Sequence, residues 1–294
     1  VHLRLLSPPL VTDLLHPHDD PDDHYDLATL FALPEFDVRG IVLDLGERQQ
    51  QRMGRPPVEQ ILHLAGRRVP YVMGISRPLT TPDDRAADVP EEFQGGIALI
   101  LSTLRQSKEK VVVFTTGSLR DVAAAFNREP ELLRAKVRAL YFNAGNGPGG
   151  VQDEWNVKLD PKAYQRIFES GLPLYWCPCF GRDGYQTHFV VDQQTVVTAC
   201  GPALQNFFVY CLTKSQEEPI AFLSSAGNKL PEGPRSMWCT GPFYHAAGRR
   251  IYQRAPDDFA ALTPGQAQQI GLQAREIGAF TFQPFRATTA DEKP

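Results

Sequence analysis

Residues 13–26 read DLLHPHDDPDDHYD. The stretch holds six aspartates (Asp13, Asp19, Asp20, Asp22, Asp23, Asp26) and three histidines (His16, His18, His24). Apolar residues 10–15 lead into it, and the helical spacing of Leu27, Leu30 and Phe31 leads out. Carboxylates packed this closely repel one another, so something must offset their charge. A hard cation does so, since calcium gathers about six to eight oxygen ligands. A helix start offsets part of it through free N–H groups and the positive dipole end. The stretch therefore reads as a metal-binding loop or as a solvated acidic loop that caps a helix.

Outward from this loop, apolar runs of strand length alternate with longer helical patterns. Strands are expected over residues 10–14, 38–43, 69–73, 111–114, 137–142 and 172–176. Helices are expected over 23–33, 58–65, 97–104, 119–126 and 161–169. Repeated β-α-β units with short links imply an α/β fold, a mainly parallel central sheet flanked by helices on both faces. Ligands of such sheets sit beyond the carboxyl ends of the strands. The polar segments up to residue 22 and over 44–48, 115–117 and 143–156 all fall there, so distant residues should converge on one sheet edge. From about residue 193 the pattern weakens: 196–211 looks helical, 224–235 reads as a turn-rich loop and 287–294 as a disordered tail. One domain over residues 1–294 with an irregular C-terminal part is the expectation.

The chain has 294 residues, 42% of them hydrophobic, enough for a substantial core. A net charge of -4 and a pI of about 6.0 give no basic patch for nucleic acid. No apolar run is long enough to span a bilayer, and no membrane partner is expected. The first residue is Val1, so a removed targeting segment stays open. The five cysteines, Cys177, Cys179, Cys200, Cys211 and Cys239, do not form a disulfide framework. Cys177 and Cys179 are too close for the usual zinc spacing. Reduced, mostly buried thiols in a cytoplasmic setting follow.

Several segments, in order, resemble the nucleoside hydrolases of the inosine–uridine type. TDLLHPHDDPDDHYDLATLFALPEFDVRGIVLD resembles that family's first strand, aspartate-rich loop, helix and second strand. VPYVMGISRPL, TTGSLRDVAAAF and VRALYFNAGN resemble three later strand-and-loop segments. EWNVKLDPKAYQRIFESGLPLYW is similar to its glutamate-aromatic-asparagine segment and is the most specific match. The resemblance implies hydrolysis of the N-glycosidic bond of a ribonucleoside or related small ribosyl substrate. It also implies a calcium ion held by loop aspartates and one backbone carbonyl, and a possible homo-oligomer. Carried over by position, the metal ligands would be Asp13, Asp22, Asp23 and the Thr116 carbonyl, with Asp20 a rival to Asp13. Asp13 would take the proton from the attacking water. Glu154 and Asn156 would grip ribose hydroxyls, with Asn143 and Asn146 as further sugar contacts. Each has a structural alternative: Asp22 and Asp23 as helix caps, Asn156 as a turn cap, Asn143 and Asn146 as left-handed turn residues.

The chain also departs from the family pattern. The family's C-terminal histidine-aspartate-proline aligns with Thr240, Gly241 and Pro242, so one calcium carboxylate and the acid for the leaving base are missing. His245, about one helical turn on, is a candidate stand-in catalytic residue. Asp19, Asp20, His16 and His18 offer substitute ligands, and nitrogen ligands would shift preference toward zinc. A non-catalytic ribose-binding relative and a different metal-dependent hydrolase are the alternatives.

Overall fold

The protein is described by a computed structural model over residues 6–146, 154–179, 189–256, 258–269 and 275–279. Two compact units make it up, Val1–Phe243 and Tyr244–Pro294. The larger begins with β1 (Pro9–Thr12), α1 (Asp22–Ala32), β2 (Gly40–Leu43), α2 (Glu47–Gln51), α3 (Arg55–Ala65) and β3 (Tyr71–Met73). It continues with α4 (Gly95–Gln106), β4 (Val111–Thr115), α5 (Arg120–Arg128), α6 (Pro130–Lys136) and β5 (Val137–Asn146). Then come α7 (Trp155–Leu159), α8 (Pro161–Phe168), β6 (Leu174–Cys179), β7 (Phe189–Asp192), α9 (Gln193–Thr198), α10 (Pro202–Leu212), α11 (Pro219–Phe222) and β8 (Pro234–Met237). The boundary between the units falls inside α12 (Thr240–Ala246).

Six strands form one sheet in the order β3-β2-β1-β4-β5-β6. Every pairing in it is parallel, with Leu10 opposite Ile41 and Phe114, and Phe142 opposite Trp176. Its central strands are continuous apolar runs because helices cover both faces: all residues of β1, β2 and β4 are buried. Ile97, Ile100 and Leu104 of α4 and Val122 and Phe126 of α5 pack in one core with Val11, Val42, Val113 and Leu140. The chain leaves β1 toward β2 and later returns to β4 on the other side. The carboxyl ends of β1 and β4 therefore flank a switch point, where such sheets open a crevice. β7 and β8 form a separate antiparallel pair.

The smaller unit carries β9 (Arg250–Ala255), β10 (Asp258–Leu262), α13 (Pro264–Gln269) and β11 (Arg275–Ala279). Its three strands pair antiparallel in the order β10-β9-β11.

All six expected strands and all five expected helices of the first 179 residues are present, with ends shifted by a few residues. The single helix expected over 196–211 is instead two, α9 and α10. Gly201 is extended (φ -67°, ψ 157°) and Pro202, which lacks an N–H, starts the second helix. The expected tail at 287–294 lies outside the described residues. No described helix is long and apolar enough to cross a membrane.

Candidate active site

Beneath the carboxyl edge of the sheet, one buried cation ties the loops together. Arg120, at the start of α5, is 1% exposed. Its guanidinium donates to the carbonyls of Leu45 (3.1 Å), Ile75 (3.0 Å) and Leu159 (2.7 Å) and to Asp160 Oδ2 (3.3 Å). Segments after β2 and β3 and at the end of α7 are thus held at fixed heights. The Asp44 carboxylate, 3.8 Å from Arg120, accepts from the Ser118 N–H at 2.8 Å and links the second loop to the fourth.

On this platform the backbone of Asp13 leaves β1 against Gly117. A Cβ on Gly117 would lie 2.7 Å from Asp13 N and 2.8 Å from Asp13 Cβ, so only glycine admits this approach. The Asp13 carboxylate, 4% exposed, accepts from the Trp155 indole N–H at 2.7 Å and from Gln49 Nε2 at 3.3 Å. Gln49 also donates to the Asp13 carbonyl at 2.9 Å.

The lengthened loop then reaches α1. Its apex is anchored by charge: Asp19 meets Arg48 at 3.5 Å, Arg52 at 3.4 Å and Lys214 at 3.2 Å. Asp20, also exposed, is paired with Arg235. His16 is packing and anchorage, since its Nε2 lies 2.7 Å from the Ser215 carbonyl and its ring stacks on Tyr210. Pro21, which precedes α1, has no side-chain cap bond, and Asp22 and Asp23 occupy the first turn. Asp23 is 5% exposed and accepts from Thr12 Oγ1 at 3.1 Å. Asp22, Asp23 and His18 each bring a ligand atom within 4.8 Å of the others. Asp22 is likewise grouped within 4.8 Å with Asp26 and Cys239.

The electrostatics of this cluster are one-sided. Burial, reinforced by Asp23, pushes the Asp13 carboxyl well above its ordinary value. Burial also raises Asp22, with Asp26 adding to it, and Asp23, with Asp22 adding to it. Asp26 is pushed up to about 7, chiefly by burial. A divalent ion bound among these groups would favour their charged forms and offset the upward shifts. Burial lowers His18 to about 4, so its imidazole is neutral near pH 7, and its Nδ1 accepts from the Asp20 N–H at 2.7 Å.

Glu154, also in the cavity lining, caps α7. Its carboxylate accepts from the N–H groups of Asn156 (3.0 Å), Val157 (3.0 Å) and Gly145 (2.8 Å). Gly145 takes φ +72°, a left-handed angle suited to glycine, while neither Asn143 nor Asn146 has positive φ. The asparagines are therefore strand-end residues of β5, not turn formers. Asn156 donates through Nδ2 to the Asn143 carbonyl (2.8 Å) and the Thr116 carbonyl (3.3 Å), joining β5 to the loop after β4. Asn143 itself donates to the Trp238 carbonyl at 2.8 Å.

These groups meet on one cavity of about 460 Å³. Of the residues singled out from sequence, Asp13, Asp20, Asp22, Asp23, Thr116, Asn143, Glu154 and Asn156 line it. Asn146 does not; it is exposed at the end of β5, opposite Cys179. His245 belongs to the smaller unit, and the larger unit supplies every lining residue. The sequence reading had not assigned Arg48, Trp155, Cys177, Cys179, Trp238 and Cys239 to the lining. Trp155 was legible, as the aromatic residue between Glu154 and Asn156. Cys239 had no spacing motif to mark it and is brought in by the chain's return before α12.

A parallel α/β sheet thus carries, at its switch point, acidic groups close enough together to hold a metal ion. The family model described as inosine-uridine preferring nucleoside hydrolase matches residues 18–221, and the chain belongs to that family. The family is metal-dependent, and the acidic cluster is a matching site. A pyrimidine-specific ribonucleoside hydrolase, RihA, of Citrobacter koseri is 27% identical over 171 residues, covering 52% of this chain and 55% of that protein. This chain thus matches about half the length of that curated relative. An inosine-guanosine nucleoside hydrolase structure superposes with a TM-score of 0.57 at 11% identity, covering 90% of this chain and 91% of the other. A purine-preferring ribonucleoside hydrolase of Gardnerella vaginalis gives 0.52 at 16% identity, covering 93% and 94%. These two likenesses establish the shared fold.

Proposed function

We propose that the chain hydrolyses the N-glycosidic bond of a ribonucleoside or related ribosyl compound. The supporting observation is that buried acidic groups and the Glu154–Asn156 pair face one cavity. Asp13, Asp22, Asp23 and the Thr116 carbonyl form an oxygen-rich set that fits a hard divalent cation, calcium. Asp20, paired with Arg235, is the outermost candidate ligand. Bound there, the ion supplies acidification of a water and a grip on vicinal hydroxyls.

The protein's own groups do the rest. Asp13, oriented by the Trp155 and Gln49 donors, takes the proton from the attacking water. Glu154 and Asn156 orient the ribose. Positive charge that develops on the ribose ring is stabilised by the carboxylates around it. The leaving base needs a proton; His245, the stand-in expected from the sequence, lies in the smaller unit and does not line this cavity.

The test is release of free ribose from a nucleoside panel by the full chain with calcium. Activity that vanishes in Asp13→Asn while ribose-analogue binding persists supports the reading. One observation favours a second reading, binding without turnover. Thr240, aligned with the family's histidine, spends its hydroxyl on Asp26 Oδ1 at 2.7 Å. Nucleoside affinity with no ribose released from any member of the panel supports that reading instead.

A further inference from the structure

The acidic cluster extends beyond the donors that the proposed hydrolase site uses. Asp26, in the second turn of α1, is not among the lining residues and is 2% exposed. Oδ1 accepts from Thr240, but Oδ2 is buried with no partner in the protein. An unsatisfied buried carboxylate oxygen is costly, and it points to a missing positive group. Cys239, 3% exposed, is a free thiol whose Sγ is within 4.8 Å of ligand atoms of both Asp26 and Asp22. Asp22 is also the member shared with His18 and Asp23.

We propose that Asp22, Asp26 and Cys239 form a second metal locus, selective for zinc, with Asp22 bridging to the ion held by Asp13 and Asp23. The donor types carry the selectivity. A thiolate suits zinc, whereas calcium and magnesium take oxygen ligands. Three protein ligands leave one tetrahedral position open, and Asp22 and Cys239 both reach the cavity wall. The thiol proton is released to solvent when zinc binds. Thr240 is a positioning residue in this arrangement, since its hydrogen bond fixes how Asp26 presents its other oxygen.

This inference rests on the proposed hydrolase site, and the tests separate the two. The full chain, stripped of metal, is titrated with cobalt(II) as a spectroscopic probe for zinc. A thiolate-to-cobalt charge-transfer band that zinc abolishes and excess calcium does not is the expected result. Cys239→Ser removes the band and one bound zinc per chain while calcium binding persists. Thr240→Val, a milder change in case the serine variant folds poorly, weakens zinc about 10- to 100-fold. No band in the wild-type chain, or a band retained in Cys239→Ser, overturns the second locus. Loss of calcium binding in Asp23→Asn bears only on the first.

Discussion

Asp23 sits among Asp13, Asp22 and Asp26 with almost no surface exposed. Asp23→Asn removes the charge and keeps the shape, so calcium affinity should fall by more than about tenfold in a calorimetric titration, with the far-ultraviolet circular dichroism unchanged. Arg120 is a different case, a buried cation that holds loop carbonyls. Arg120→Met strands Asp44 and Asp160 without their partner and should cost about 3–5 kcal/mol in denaturant unfolding. Asp121 reports through pH. Burial first, then Asp44, pushes its carboxyl up to about 7 against the Arg120 charge. The folded state therefore holds that proton more tightly than the unfolded chain. The resulting stability is fully present below the ordinary value of 3.8 and is lost as pH rises through about 7. Between those limits wild type should lose stability relative to Asp121→Asn; parallel unfolding curves at both ends would refute the assignment. At this scale the sequence pointed to Asp13, Asp22, Asp23, Glu154 and Asn156, which line one cavity, through the aspartate-rich loop taken together with the more specific glutamate-aromatic-asparagine segment. It did not reveal Cys239 or Trp238, whose place depends on a chain return with no local signature.

At the scale of elements, the strands were legible because double-sided burial writes them as unbroken apolar runs, such as Val111–Thr115. The five-residue helices α2 and α7 were not, being too short to show a helical period. α7 is set by its cap, Glu154, not by an apolar face. Glu154 thus holds a structural element and lines the cavity at once. Glu154→Gln keeps an acceptor oxygen, whereas Glu154→Ala loses the cap, so the alanine variant should be about 1 kcal/mol the less stable. Both should lose ribose-analogue affinity if the sugar lies against this wall. The loop after β4 depends on its closest contact. Gly117→Ala forces the backbone of Asp13 outward and should destabilise by about 1–3 kcal/mol in thermal unfolding, with weaker metal uptake.

Over the whole molecule, the cavity gathers residues from position 13 to position 239, and an ion held by Asp13, Asp22, Asp23 and the Thr116 carbonyl would tie the loop after β1 and the first turn of α1 to the loop after β4. A ligand that binds only the folded chain stabilises it by about 2.7 kcal/mol at 100 times its dissociation constant. Chelation should therefore lower the Tm and added calcium restore it. The sequence placed this convergence on one sheet edge because a doubly covered parallel sheet leaves only its loop ends free for chemistry. It left the region after residue 193 blurred, where short helices start at prolines such as Pro202 and Pro219 and antiparallel pairs replace the β-α-β rhythm.

Arg48 occupies a particular place in that assembly, with its guanidinium 5.1 Å from the Trp155 ring centroid and 3.5 Å from Asp19. All three line the cavity, and the Arg48–Asp19 pair is more than half exposed to water. Contacts of this kind weaken as ions accumulate, since screening reaches about 8 Å at 0.15 M ionic strength. Added salt should therefore weaken the Arg48–Asp19 contact on the cavity wall, while the part-buried Trp155–Asp13 hydrogen bond beside it holds.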